Sequence, residues 1–186
     1  MSSTDVRCYI GSGCQMPYSS PEGKEWTAQR IVELSPQSIL DVGVGAGTYA
    51  TLLRESLPGC FWTGIEVFEP YLHRFSLDKL YDCLLVLDVR SCPDLAPVDV
   101  VICGDVLEHM SADEARRVWD WARQHARLAV FASIPIVPAP QGAEEGNEFE
   151  RHLHTWTHAE AMQLPGVRAH CVGELIGVYE GEPASG

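Results

Sequence analysis

Apolar and polar positions along the chain switch between a period of two and a period of three to four residues, and the switches divide it into alternating strands and helices. From Lys24 onward, Ala28, Ile31 and Val32 recur at helical spacing and predict a short amphipathic helix that stops before Pro36. Apolar or β-branched runs at 38–42, 61–67, 98–103 and 128–134 predict strands. The run at 81–89, YDCLLVLDV, predicts a strand buried on both faces that ends at Asp88. Helices are predicted over 48–56, where Pro58 and Gly59 follow, from Pro70, and over 156–164. A further helix over 111–126 presents Ala115, Val118, Trp119, Ala122 and Ala126 as one core stripe. Residues 166–180 read as two terminal strands, a hairpin pair that closes the sheet.

Two stretches carry no period. Residues 2–23, rich in Ser, Gly and Pro, predict an arm that closes over a ligand, with Tyr18 or Trp26 lining the pocket. Residues 135–149 collect prolines and acids with Gly142 and Gly146, and predict a long irregular loop of the kind that forms lids.

Strands alternating with helices call for an α/β domain, a doubly wound, mostly parallel sheet of seven strands whose last strand runs antiparallel. One domain over 24–180 accommodates it, preceded by the arm at 1–23 and followed by a tail at 181–186. Ligands of such sheets sit at the carboxyl ends of the strands. Asp41, Glu66, Asp88, Asp105 and the pair Glu108–His109 all follow predicted strand ends, so one edge should hold them together.

The stretch 38–50, SILDVGVGAGTYA, joins a strand to a helix through alternating Gly43, Gly45 and Gly47. Glycine admits positive φ and close approach of a ligand to the backbone, and the next helix offers free N–H groups. A dinucleotide fold uses G-x-G-x-x-G to hold a pyrophosphate; here the order is D-x-G-x-G-x-G, and Asp41 suits a ligand that is cationic at that point. The stretch resembles motif I of the class I S-adenosylmethionine-dependent methyltransferases, and the resemblance runs over about residues 24–180. It implies a Rossmann-like methyltransferase fold, S-adenosylmethionine as cofactor, and a cofactor set of Asp41, Gly43, Gly45, Gly47, Glu66, Asp88, Val89 and Asp105. Glu66 lies 19 residues beyond Gly47, where a carboxylate accepts hydrogen bonds from both ribose hydroxyls. In the resembling enzymes the acid at Asp88 accepts the adenine amino group, and the N–H of the next residue, here Val89, meets the ring.

The DVLEHM segment, 105–110, resembles the (E/D)-V-L-E-H motif of many small-molecule methyltransferases, whose histidine faces the acceptor. That makes His109 the first candidate base, with Glu108 beside it in the candidate catalytic set. ERHLHTWTH, 150–158, supplies His152, which matches the histidine before an aromatic-(S/T) pair in those families; His154 and His158 read as surface residues. The set Asp105, Glu108, His109 and His152 also suits magnesium or manganese, and resembles the small-RNA 2′-O-methyltransferases except that the first acid is Asp instead of Glu. The acceptor implied is a small molecule, methylated on O, N or C. Three alternatives stand beside this reading: a non-catalytic methyltransferase-like binding protein, a metal-dependent RNA 2′-O-methyltransferase, and a nicotinamide-dependent oxidoreductase, whose Tyr-x-x-x-Lys dyad the sequence lacks.

Composition narrows this further. The formal charge of −13 repels nucleic acid phosphates and argues against a general DNA or RNA binder. Arg116, Arg123 and Arg127 read as a solvated face of the 111–126 helix. No apolar run reaches the ~20 residues of a membrane span, and the first residues lack the pattern of a signal peptide, so a cytoplasmic protein is expected. Seven cysteines, an odd number without a C-x-x-C pair, read as reduced thiols. Monomer and homodimer both remain open.

Overall fold

The computed structural model describes residues 20–144 and 146–185. Most of the expected arm, with Tyr18, Cys8 and Cys14, lies outside the described residues. In chain order the elements are α1 (Lys24–Leu34), β1 (Ser38–Val42), α2 (Thr48–Leu53), β2 (Phe61–Glu66), α3 (Pro70–Arg74) and β3 (Cys83–Val86), then β4 (Val98–Gly104), α4 (Ala112–His125), β5 (Ala126–Pro135), α5 (His158–Ala161), β6 (Val167–Val172) and β7 (Ile176–Gly181).

The strands form one sheet in the order β3-β2-β1-β4-β5-β7-β6. Pairing is parallel from β3 to β5, and β7 runs antiparallel to both neighbours. The chain winds outward from β1 to β3 and then crosses back to β4, so the direction of winding reverses between β1 and β4. At such a reversal the loops on either side diverge and leave a crevice at the carboxyl edge.

The central strands are buried on both faces, and their alternation sorts residues between two cores. Ile39, Val100, Ile102 and Phe131 face α1 and α2 on one side. Leu40, Val42, Val101, Cys103, Val130 and Ala132 face α4 and Trp156 on the other. The helix α4 is held at its start by a capping box: Ser111 Oγ accepts from the Glu114 N–H, and Glu114 Oε2 accepts from the Ser111 N–H. Its buried stripe is Ala115, Val118, Trp119, Trp121 and Ala122.

Several expectations need correction. The run at 81–89 forms an edge strand, not one buried on both faces: it pairs with β2 alone, and Val86 is 49% exposed. The buried side of α1 is Lys24, Thr27 and Ile31, whereas Val32 is exposed. Trp26 packs edge-on against Phe131 in the core, away from the crevice. Helix geometry over 156–164 is confined to α5, with Trp156 fully buried ahead of it and Thr157 capping through its side chain. Arg127 belongs to β5 and pairs with Asp99; Arg116 and Arg123 are paired with Glu160 and Asp120. The five described cysteines are free thiols, two of them, Cys60 and Cys103, buried. Among the described residues no helix is long and apolar enough to cross a membrane.

Candidate active site

A cleft of about 280 Å³ opens at the carboxyl edge where the winding reverses. The turn after β1 forms one end of it. Gly43 (φ +67°) and Gly45 (φ +48°) hold left-handed backbone conformations, and a Cβ on Gly43 would lie 2.3 Å from Val106 Cγ2. Gly45 donates its N–H to Glu66 Oε2 at 3.0 Å, and Phe68 N–H reaches Glu66 Oε1 at 2.8 Å, so the carboxylate at the end of β2 is fixed against the glycine turn. Gly47 is placed differently: it starts α2 with φ +73°, is packed against Leu77 and Leu80, and is not part of the cleft wall.

Asp41 is 2% exposed and accepts a 2.6 Å hydrogen bond from the Tyr81 hydroxyl. Burial pushes its carboxyl up to about 7, against the opposing pull of that hydrogen bond and of Lys24. Lys24, itself buried, places Nζ 3.3 Å from Asp105 Oδ2 and 4.9 Å from the centre of the Tyr49 ring. Asp105 has φ +53° and is held from both sides, since Ser133 Oγ donates to its Oδ1 at 2.7 Å. On the opposite wall Asp88 caps a short 3₁₀ turn by accepting the Arg90 N–H, and its carboxylate pairs with both Nε and Nη2 of Arg90. The guanidinium holds Asp88 below the usual carboxylate range. Asp88 and the buried Val89 both line the cleft.

The far end is built by the turn Leu107–His109 and by the loop after β5. Leu153 and His154 donate their backbone N–H groups to the carbonyl of Glu108, which ties the loop to that turn. The His109 and His152 rings meet edge to face, 4.8 Å between centres. His152 Nδ1 lies 2.5 Å from the Ala139 carbonyl. A carbonyl only accepts, so Nδ1 carries the proton and Nε2 keeps its lone pair. His109 Nδ1 is buried and has no hydrogen-bond partner. Burial, with His152 alongside, lowers the His109 pKa to about 4; burial also lowers that of His152. Both imidazoles are neutral at pH 7. Glu108 is 2% exposed, its Oε2 has no partner, and burial raises its carboxyl well above the ordinary range.

Ligand atoms of Glu108, His109 and His152 lie within 4.8 Å of one another, a set of two imidazoles and one carboxylate. Asp105, expected as a fourth metal ligand, is engaged by Lys24 and Ser133 instead. Trp156 is buried in the core and His154 pairs with Glu160, so neither reaches the cleft.

Lys24, Tyr81, Ser133 and Glu150 are the site residues that pattern reading passed over. For Lys24 a signal existed: a lysine in the first turn of a helix opposes the helix dipole, and Lys24, Thr27 and Ile31 stand at i, i+3 and i+7. The others come together only through strand pairing.

No family model matches the sequence, and no curated protein does. Solved structures share its architecture. An O-methyltransferase family protein from Burkholderia thailandensis superposes with a TM-score of 0.58 at 18% identity, over 86% of this chain. The chain spans only 57% of that protein's length. Magnesium protoporphyrin IX methyltransferase from Synechocystis PCC 6803 with bound SAH gives a TM-score of 0.63 at 15% identity, over 87% of this chain and 84% of that one. TehB from Haemophilus influenzae gives 0.68 at 12% identity, over 86% and 62%. The chain therefore has the Rossmann-like methyltransferase fold.

Proposed function

We propose that the protein is an S-adenosylmethionine-dependent methyltransferase that moves a methyl group to the oxygen, nitrogen or carbon of a small-molecule acceptor. The observation that carries this reading is a single cleft with two chemically different ends. At one end Glu66 is fixed against the positive-φ backbone of Gly43 and Gly45; at the other stand two neutral imidazoles, His152 with Nδ1 on the Ala139 carbonyl and His109 with Nδ1 unpartnered. The first end offers a carboxylate to ribose hydroxyls and an acid, Asp41, to a cationic donor. Three solved neighbours that carry SAM or SAH in such a fold lend support.

Methyl transfer from a sulfonium is an in-line displacement. The acceptor lone pair attacks the methyl carbon while the carbon–sulfur electron pair returns to sulfur, and a proton lost by the acceptor passes to a base. Holding the two reactants aligned at about 3–3.5 Å supplies much of the acceleration. His109 Nδ1 is the base in this reading, and His152, packed edge-on against it, orients it. Six acidic side chains, Asp41, Glu66, Asp88, Asp105, Glu108 and Glu150, line the cleft, and those ionised at neutral pH would repel the phosphates of an RNA acceptor. The glycine spacing and Asp41 likewise stand against a nicotinamide cofactor.

A second reading rests on the unpartnered Glu108 Oε2 and His109 Nδ1, which with His152 fit a divalent ion such as magnesium or manganese. Such an ion would supply Lewis acidity toward an acceptor hydroxyl. Mass spectrometry of an acceptor panel, scored for gain of one methyl group with and without chelator, separates the readings. Turnover unchanged by chelator assigns the chemistry to the histidines; turnover lost to chelator and restored by manganese assigns it to the ion. No methyl gain in any acceptor leaves a cofactor-binding protein without catalysis.

A further inference from the structure

Glu150 has no part in the roles above, yet it lines the cleft together with Glu66 and Glu108. Its own carboxylate accepts from three neutral donors: the Tyr71 hydroxyl at 3.0 Å, Gln141 Nε2 at 3.3 Å and Asn147 Nδ2 at 3.4 Å. The basic side chains beside the cleft are engaged elsewhere, Lys24 with Asp105 and Arg90 with Asp88. Among the described residues no lysine or arginine forms an ion pair with Glu150 or Glu108. Glu108, almost fully buried on the same acceptor side, leaves Oε2 unpartnered. Two partly desolvated acidic side chains therefore line one cavity, Glu150 held only by neutral donors among the described residues and Glu108 with an oxygen unpartnered.

From this we infer that Glu150, together with Glu108, selects an acceptor carrying an ammonium group. The inference rests on the methyltransferase reading and names its substrate class. An ammonium has three donors and no acceptor, and its positive charge favours the ionised form of both acids, whose burial otherwise favours the neutral form. A hydroxyl in the same place brings a single proton, and a carboxylate brings a third negative charge. The ammonium has no lone pair and cannot itself be the attacking atom. It is an anchor, and the methylated atom is another nucleophile of the same molecule, turned toward His109. Glu150 is held in place by Gln141 and Asn147 of the segment after β5, and all three side chains line the cleft.

Three matched probes test this by calorimetry on the protein saturated with S-adenosylhomocysteine, in the presence of chelator: benzylamine, benzyl alcohol and benzoate. Benzylamine is expected to bind roughly tenfold or more tighter than benzyl alcohol, with benzoate weakest. Glu150→Gln, which keeps the side-chain shape, should bring amine and alcohol to within about threefold while S-adenosylhomocysteine affinity is unchanged. Benzylamine binding no tighter than benzyl alcohol, including no binding of either, overturns the inference, as does a preference that survives in Glu150→Gln. The wild-type comparison decides even if the variant folds poorly. Failure of S-adenosylhomocysteine to bind strikes the methyltransferase reading instead, and the same comparison on the unloaded protein still decides the role of Glu150.

Discussion

His109→Ala is expected to lower kcat by roughly 10²–10⁴-fold while donor affinity stays within about twofold. The separation follows from the geometry: His109 stands in the turn at the far end of the cleft, where its ring packs edge-on against His152, and Glu66 is fixed against the glycine turn by its own hydrogen bonds. Its Nδ1 has no hydrogen-bond partner, and burial lowers the ring's pKa to about 4, so that it is neutral well below the usual histidine range. The sign for pH dependence follows. A base must be unprotonated, so at saturating donor the acidic limb of kcat/KM should begin only near pH 5 and fall toward about 4. A histidine with its ordinary pKa of about 6.5 would already cost activity at pH 6. Steady-state kinetics of the wild type and of His109→Ala and His152→Ala decide the matter. Full activity in both single variants removes the histidines from the chemistry and leaves a reaction driven by proximity alone.

Glu66→Ala is expected to weaken S-adenosylhomocysteine binding by about 1.5–3 kcal/mol, roughly 10- to 150-fold, without unfolding the protein. That range is the one for hydrogen bonds to a charged group, the bonds expected here from ribose hydroxyls to Glu66. Glu66 also receives the N–H groups of Gly45 and Phe68, so alanine frees the glycine turn as well as removing the ribose contact. Glu66→Gln keeps one acceptor oxygen and should fall between wild type and alanine. Isothermal titration with a melting curve on each variant checks this. An unchanged affinity with normal melting would show that Glu66 does not hold the ribose.

The fold was readable because the central strands are apolar on both faces, so 38–42, 98–103 and 128–134 stand out however the sheet is turned. The edge strand β3 misled for the same reason: its leucines serve the two cores from a strand with one neighbour, and the run looks like a central one. The carboxylates at strand ends were legible as a group, since parallel strands bring like ends to one edge. Their partners were not. Tyr81 reaching Asp41, Ser133 reaching Asp105 and Tyr71 reaching Glu150 join residues 28 to 79 positions apart, and no local period records such contacts. Glu150 stands just past the aperiodic stretch 135–149, at the end of the short 3₁₀ turn Glu148–Glu150, where no pattern distinguishes it from a solvated carboxylate. Gly47 has the spacing of a ligand loop, and a Cβ there would meet the side chains of Leu77 and Leu80, a contact that its spacing does not record.

Calorimetric titration with S-adenosylmethionine, S-adenosylhomocysteine and NAD tests the central claim most directly, because it asks which nucleotide the glycine turn, Asp41 and Glu66 accept before any acceptor is known. The account predicts saturable one-site binding of S-adenosylmethionine and S-adenosylhomocysteine, and no detectable heat with NAD. Binding of NAD tighter than either, or no binding of S-adenosylmethionine to folded protein, would contradict it.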